Sequence, residues 1–362
     1  MLIAIDISQI IYDTGVSKYT KQLVRNLLEI DKKNKYLLFG GSLRRLGELK
    51  SFTKTLKGNF STKFFLIPPT MANILWNNFR FPPIERLIGK VDVFHSSDWT
   101  QPPSKAYKVT TIHDLSFIKF PKSTNRKIYD THKKRLKLVK EKVDSVISPS
   151  IATRDDLVAF GIERKKIAVI PEGPFFKKVD KEKVAKVKSK YKIHDKYLLA
   201  VGVRPRKNTN RIIEAFHLAA AGEGIKLVIV GHPTGIKTKD DRGLRFTGYI
   251  NDDDLQALYT GAEALVYPSL YEGFGIPILD AFNCETPVVT SNISSMPEVA
   301  GNAAVLVDPE STDSIVQGIK EALSKKKTLV KKGLIQVNKF TWRKTAEETL
   351  KVYEKLNQIE IL

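Results

Sequence analysis

Short apolar runs and helical patterns alternate along almost the whole chain. Runs rich in Val, Ile and Leu fall at 2–6, 36–40, 92–95, 109–113 and 145–148, and again at 197–202, 226–231, 245–249, 263–266, 287–290 and 304–307. Unbroken apolar runs of this length suit strands covered on both faces. Between them apolar residues recur three and four apart, predicting helices that begin near Gly15 and Asn125, after Ser150 as an N-cap, and after Asn208, Asn251, Gly275 and Thr312. Strands alternating with helices in this way build parallel, doubly wound α/β sheets. The rhythm lapses across 173–192, where Lys and Pro are frequent and periodicity is weak. Two Rossmann-like domains facing a cleft are therefore expected, 1–175 and 195–340, joined by a linker at 176–194. Ligands of such sheets bind beyond the carboxyl ends of the strands.

One of these strand ends is chemically distinctive. The run Ala264-Leu-Val-Tyr-Pro268 leads into Glu272-Gly-Phe-Gly-Ile-Pro-Ile-Leu-Asp280, in which two acids bracket a Gly-Phe-Gly turn and an apolar helix start. A helix start leaves backbone N–H groups without intrahelical partners. With the positive end of the helix dipole, they favour an anionic or hydroxyl-rich ligand. Gly273, Phe274 and Gly275 would bring that backbone close to the ligand. Glu272 would hold hydroxyls at the turn, and Asp280, about two helical turns further on, is expected to face the same side. Acids that accept from diols beside an anion-friendly helix start describe a nucleotide-sugar pocket.

At a second strand end, Val201-Gly-Val-Arg-Pro-Arg-Lys-Asn208 places Arg206 and Lys207 before a helix, with Arg204 as a third cation. A departing nucleoside diphosphate gains negative charge, and Arg and Lys can meet it in place of a divalent ion. No Asp-x-Asp stands at a strand end to hold such an ion, since Asp252-Asp-Asp254 reads as a helix cap. The expectation is no metal and no cofactor, with the nucleotide sugar as co-substrate.

A length of 362 residues suits two domains that each bury a core. The single cysteine, Cys284, excludes an intramolecular disulfide and fits a reducing compartment. Asp6 interrupts the start of any signal-peptide core, and no apolar run approaches the roughly 20 residues that span a bilayer. The expected location is cytoplasmic, with any attachment to the inner face of the membrane made from its surface. The net charge is +21, and residues 1–200 hold 40 Lys+Arg against 19 Asp+Glu while 201–362 hold 20 of each. The first half should therefore meet a polyanion, whether membrane leaflet, acidic polymer or nucleic acid. Its most basic segment, 126–142, fits a helix with Ile128, His132, Leu136, Val139 and Val143 on one face and Lys127, Lys133, Lys134, Lys137 and Lys140 over the other. Upstream, 71–81 carries aromatics that suit either a membrane interface or a core.

The segment from Glu272 to Asp280 resembles the E-x7-E signature of the family 4 retaining glycosyltransferases, which have the GT-B fold, and their group 1 mannosyltransferase-like members in particular. The stretches 201–208, 286–301 and 307–309 continue the resemblance, as do Asp92-Val-Phe-His-Ser-Ser-Asp-Trp99 and Thr111-Ile-His-Asp-Leu115, so that it spans almost the whole chain. One departure is Asp280 in place of the second Glu, a reach shorter by about 1.5 Å, one C–C bond. The resemblance implies that Glu272 contacts the donor sugar or steadies positive charge at the anomeric carbon, and that Asp280 holds the ribose diol. It further implies that Gly15 faces the diphosphate and that Gly248 and Tyr249 end the strand that meets the nucleobase. His113 would touch the transferred sugar or the acceptor, with Asp114 in an orienting or structural place. His95 and Asp98 would be landmarks of the fold. Ser294, Ser295, Pro297 and Glu298 would shape the pocket floor, and the terminal helix, within 341–362, would cross back to the first domain.

By resemblance, the reaction is a metal-independent, retaining transfer of a hexose, with mannose one candidate, from a nucleoside-diphosphate sugar to a glycan or lipid-linked acceptor. The leaving phosphate oxygen would take the acceptor's proton on the same face. Two other classes stay open on the residues alone. One is a GT-B enzyme of another reaction type, an epimerase or phosphorylase, although no pyridoxal-lysine signature of a glycogen-type phosphorylase is found. The other is a basic nucleic-acid binder suggested by charge alone. No RNP, zinc or Gly-x-x-Gly module supports it, so no nucleic-acid partner is expected.

Overall fold

Parallel pairing explains why the apolar runs are unbroken, because each strand must be covered on both faces. The computed structural model describes residues 1–220, 224–236 and 243–359. It divides into unit 1, Met1–Glu172 with the terminal segment from Trp342, and unit 2, Gly173–Thr341. Unit 1 holds β1 (Leu2–Asp6), β2 (Lys35–Gly41), β3 (Phe60–Phe65), β4 (Val93–Ser96), β5 (Tyr107–Thr111), β6 (Ser145–Ser148) and β7 (Ile167–Val169). They pair in the order β3-β2-β1-β4-β5-β6-β7, parallel throughout.

Unit 2 holds β8 (Lys196–Val201), β9 (Ile225–Val230), β10 (Leu244–Phe246), β11 (Ala264–Tyr267), β12 (Val288–Ser291) and β13 (Val305–Val307). Their order is β10-β9-β8-β11-β12-β13, again parallel. Successive residues of β8 serve opposite cores: Leu198 and Ala200 pack with Phe216 and Ile319, while Tyr197 and Leu199 pack with Leu258 and Phe282. Each such fully buried side chain is worth roughly 1.5–3 kcal/mol. In each sheet the strand order reverses once, between β1 and β4 and between β8 and β11. The loops that leave adjacent strands there turn to opposite faces and open a crevice.

The structure differs from the sequence reading in several places, each for a physical reason. Two edge strands, β3 and β7, fall outside the runs read as strands: β3 has no buried residue and carries Ser, Thr and Lys, and β7 has only three residues. Strand β5 ends at Thr111, so His113 lies beyond it and not at its last position. The expected linker contains the helix Lys181–Lys190, and Phe176, Val187 and Ile193 join the unit 2 core. These three apolar residues are too far apart in sequence to show a period. In the helix Arg126–Lys142 the buried residues are Thr131, Arg135, Leu136 and Val139, while Ile128 is exposed. A guanidinium thus occupies the inner face. The helix Trp342–Ile359 packs on Gly15–Ile30 within unit 1, with Thr345 Oγ1 donating to the Pro171 carbonyl at 2.7 Å. Residues 360–362 of the predicted terminal segment lie outside the described residues.

The division of charge also shifts when read by unit. Unit 1 carries 35 Lys+Arg and 20 Asp+Glu, and unit 2 carries 25 and 19. The lysine-rich helix Lys181–Lys190 belongs to unit 2, so unit 2 is itself mildly basic. Among the described residues no helix is long and apolar enough to cross a membrane.

Gly318 tests how tightly unit 2 is packed. It lies in the helix Thr312–Ser324, and an added Cβ would meet Val307 Cγ1 at 2.4 Å and Val289 Cγ1 at 3.0 Å. Helix propensity favours Ala over Gly by about 1 kcal/mol, whereas overpacking a core costs about 1–3 kcal/mol. Both valines are β-branched and sit on strands, so neither can swing away. Gly318→Ala is expected to lower the melting temperature. A melting curve unchanged or raised would show that the sheet and helix are less closely packed than described.

Candidate active site

In unit 2 the two loops that leave the reversal point carry the charged groups. β8 ends at Val201 and is followed by the short 3-10 turn Pro205–Lys207. Asn208 closes this turn in the left-handed region at φ 62 and starts the helix Thr209–Ala219. Its side-chain amide donates to the carbonyls of Pro268 (3.1 Å) and Pro309 (2.6 Å), which fastens the loop across the ends of its neighbours. Leu270 N–H also donates to the Arg206 carbonyl at 2.8 Å. Arg206 and Lys207 are thereby aimed at the loop after β11, which carries Glu272.

Glu272 is buried, and its two oxygens are shared between the two cations. Arg206 Nη1 donates to Oε2 at 2.8 Å and Lys207 Nζ to Oε1 at 2.6 Å. Arg206 Nη1 also reaches the Tyr271 carbonyl at 3.1 Å. Lys207 Nζ donates to the Tyr267 hydroxyl and lies 4.4 Å from that ring's centroid. Burial pushes the Glu272 carboxyl up, but the Lys207 and Arg206 charges outweigh it and hold the group below the usual carboxylate range. Tyr267 is raised well above a free phenol by burial and then by Glu272, so it stays protonated. The Glu272 carboxylate is thus shared between two cations.

The Gly-Phe-Gly turn is pinned from below. Ser294 Oγ donates to the Glu272 carbonyl at 2.7 Å, and Ser295 Oγ lies within bonding distance of the Glu272 carbonyl (2.9 Å) and the Phe274 carbonyl (2.7 Å). Gly275 precedes the helix Ile276–Asn283 at φ 110, a conformation that L side chains rarely adopt. Phe274 points into the unit 2 core, with its ring 5.9 Å from that of Phe340. Its side chain is thus a packing group, and only its backbone belongs to the turn.

Asp280 is engaged by backbone of unit 2 itself. It is buried, and its Oδ1 accepts from the backbone N–H groups of Phe175 (2.7 Å) and Phe176 (2.9 Å). Glu272 precedes the helix, so helical spacing between the two acids does not apply. Gly248 bridges to Gly231 at φ 69, and the following Tyr249 is exposed. Arg204 is exposed and lines a surface cavity with Asn208 and Thr234. Asp252 to Asp254 open a helix capped by the Asn251 side chain. Among the described residues no group of three or more His, Cys, Asp or Glu side chains is placed to hold a metal ion.

The candidate residues of unit 1 differ in burial: Gly15 is exposed, while His113 and Asp114 are half-buried. Gly15 is the first residue of the helix Gly15–Ile30, whose N-cap Thr14 forms a capping box with Ser17. A Cβ at Gly15 would meet nothing within 4 Å, so no neighbouring atom of the protein requires glycine there. His113 Nδ1 lies 3.1 Å from Glu172 Oε1, and its ring meets Tyr19 edge-on with centroids 4.5 Å apart. Burial lowers the His113 pKa, but the hydrogen bond and charge of Glu172 more than reverse this and leave it raised. Asp114 Oδ1 accepts from Ser116 N–H at 2.8 Å, a turn-forming bond.

His95 contrasts with His113. It sits between the Tyr353 hydroxyl (2.7 Å) and Thr111 Oγ1 (3.0 Å), and burial, then His113 and Arg135, push its pKa down to about 3. It is a neutral structural group. Asp98 pairs with the buried Arg135 at 3.4 Å. Glu172, Arg135 and Tyr267 are absent from the sequence reading. Only Tyr267 has a local signal, as the last residue of the apolar run before the Glu272 loop.

Comparison with known proteins identifies the family and the fold. Residues 14–173 match the family described as Glycosyltransferase Family 4, and residues 180–333 match Glycosyl transferases group 1. The chain is 30% identical over 295 residues to the O-antigen chain mannosyltransferase B of Escherichia coli, covering 73% of this chain and 74% of that one. It is 32% identical over 194 residues to the serotype-specific mannosyltransferase WbdA of Escherichia coli, of which that match spans 24%. Among solved structures, HepE of Anabaena in complex with UDP and glucose superposes with a TM-score of 0.71 at 13% identity, covering 98% of this chain and 100% of that one. The fold is that of the GT-B glycosyltransferases, and the chain belongs to glycosyltransferase family 4, group 1.

Proposed function

We propose that the chain moves a hexose, mannose on the precedent of its relatives, from a nucleoside-diphosphate sugar to a glycan or lipid-linked acceptor. The transfer retains the anomeric configuration and uses no metal ion. The observation that carries this reading is the buried Glu272 carboxylate held between Arg206 and Lys207 at the strand-order reversal of unit 2. A carboxylate that already balances two cations keeps them charged and oriented in a dry site. When the anomeric C–O bond breaks, the diphosphate gains negative charge and the anomeric carbon gains positive charge. Arg206 and Lys207 are assigned to the first, and Glu272 to the second or to the sugar hydroxyls. The acceptor hydroxyl bonds to the anomeric carbon on the face the diphosphate leaves, and its proton passes to the leaving phosphate oxygen. The protein's share is positioning and charge stabilisation.

Gly15, Gly273 and Gly275 are proposed to let backbone approach the diphosphate, and Gly248 with Tyr249 to meet the base. Asp280 can serve the ribose only alongside the two backbone bonds it already accepts. His113, with Glu172 behind it, is proposed to contact the transferred sugar or the acceptor as a protonated donor.

Three outcomes are expected. First, release of nucleoside diphosphate, followed by mass spectrometry over a panel of nucleotide sugars, should continue in EDTA. Loss of turnover that added magnesium or manganese restores would overturn metal independence. Second, Glu272→Gln and Lys207→Ala should each lower turnover by on the order of 100-fold or more with unchanged circular dichroism, the scale of losing one charge-stabilising group. Near-parent rates for both with the best donor would place the site elsewhere. Third, the His113 imidazole should titrate above the ordinary value of about 6.5, and Glu172→Gln should bring it down. Because the folded pKa is raised, the stability it contributes is complete below the unfolded pKa and is lost as pH climbs through the folded one. An NMR titration placing parent His113 at or below the ordinary value would remove the ion pair from the site.

A further inference from the structure

Unit 1 turns a row of large apolar side chains toward solvent within one short stretch. Phe79 is 73% exposed, Leu66 67% and Phe81 53%, with Met71 and Ile74 also exposed beside them in sequence. The backbone that carries them is firmly anchored. The helical segment Asn73–Phe79 buries Trp76 and Asn77. The Asn77 side chain donates to Asn73 Oδ1 (2.8 Å) and to the Trp99 carbonyl (2.9 Å), and accepts from Gln101 N–H at 2.9 Å. Trp76 Nε1 donates to the Pro82 carbonyl at 3.1 Å. The inner side of the segment, through Ala72 and Trp76, lines a cavity shared with Tyr12 and Trp99. The outward residues are thus presented by a fixed frame, and clustered exposure of this kind marks an interaction surface.

Cations edge the row. Lys134 Nζ donates to Asn78 Oδ1 at 3.1 Å, which brings the helix Arg126–Lys142 alongside. Lys127, Lys133 and Lys137 of that helix are exposed. The Arg86 guanidinium lies 5.0 Å from the centroid of the Phe81 ring. A protein partner with an acidic, apolar face would match charge and hydropathy at one site only. An anionic bilayer matches both along the whole row, since aromatics enter the interface while lysines stay at the headgroups.

We propose that the exposed apolar row of 66–81, with the lysines of Arg126–Lys142, docks unit 1 on the surface of an anionic bilayer. The proposal goes beyond the transfer reading and does not rest on it. The same segment faces lipid outward and the cavity inward, so an acceptor anchored in that bilayer would be delivered beside unit 1.

The test is co-sedimentation of the full chain with phosphatidylcholine vesicles, with and without phosphatidylglycerol, at low and high salt. The parent should bind only the anionic vesicles. Phe79→Ser with Phe81→Ser should weaken binding about tenfold or more at both salt levels, since each buried aromatic contributes independently of screening. Lys127→Glu, Lys133→Glu and Lys137→Glu together should weaken low-salt binding about 100-fold and flatten its salt dependence. Both variants should keep parent donor hydrolysis, which separates failure of docking from failure of the transfer reading. Should the serine pair misfold by circular dichroism, Met71→Ser with Ile74→Ser makes the same measurement. Equal or absent binding to the two vesicle types, parent-like binding by the serine variants, or parent-like binding by the charge-reversed variant would each overturn the proposal.

Discussion

A carboxylate kept ionised in a dry site is the interaction on which the rest of unit 2 depends. Taking Glu272 out of water costs several kcal/mol in effective terms, and that cost is met only because two cations reach its two oxygens at 2.8 and 2.6 Å. Neither cation could be placed by its own loop alone. Arg206 and Lys207 hold their positions because Asn208 ties their turn to the carbonyls of Pro268 and Pro309, one after β11 and the other after β13. Ser294 and Ser295 hold the Glu272 turn from the loop after β12. Four strand ends thus converge on one carboxylate, and parallel pairing is what brings all four to the same edge of the sheet. A diphosphate entering such a site meets cations that are already desolvated and aimed. Groups fixed in this way leave little reorganisation to a reacting moment.

Unit 1 solves the same electrostatic problem twice with opposite results. His95 is buried and His113 half-buried. One is clamped between two hydroxyls and stays neutral, while the other has a carboxylate at 3.1 Å that raises its pKa. The partner each ring meets sets the direction in which its pKa moves. Arg135 is a third case, a guanidinium on the inner face of a lysine-covered helix, balanced by Asp98 and the Thr110 hydroxyl. The outer surface of the same unit obeys another logic. There the lysines are solvated and sit beside apolar residues that the fold leaves uncovered.

The sequence by itself determined the layered architecture. Eleven apolar runs became strands because a parallel strand buried on both faces can be written only in apolar residues. It also carried the candidate site of unit 2, since an acid before a Gly-Phe-Gly turn and an Arg-Lys pair after a strand are local patterns. The edge strand β3 was missed because an edge needs no continuous apolar run, and β7 because three residues are too short to show a pattern. The helix Lys181–Lys190 was missed because its few buried residues belong to a core assembled from elsewhere.

Tertiary structure alone decided the partners. Glu172 lies 59 residues from His113, and Tyr353 lies 258 from His95. Nothing local marks either pair, because each forms only when two distant segments close on each other. The same holds for Asp280, which spacing from Glu272 assigns to a ligand. The fold spends its carboxylate on the backbone of Phe175 and Phe176, 105 and 104 residues away. A sequence states which charges exist and which local turn presents them. Which charge each one faces, and so whether it is neutralised, kept ionised or left for a substrate, depends on side chains that become neighbours only after the chain has folded.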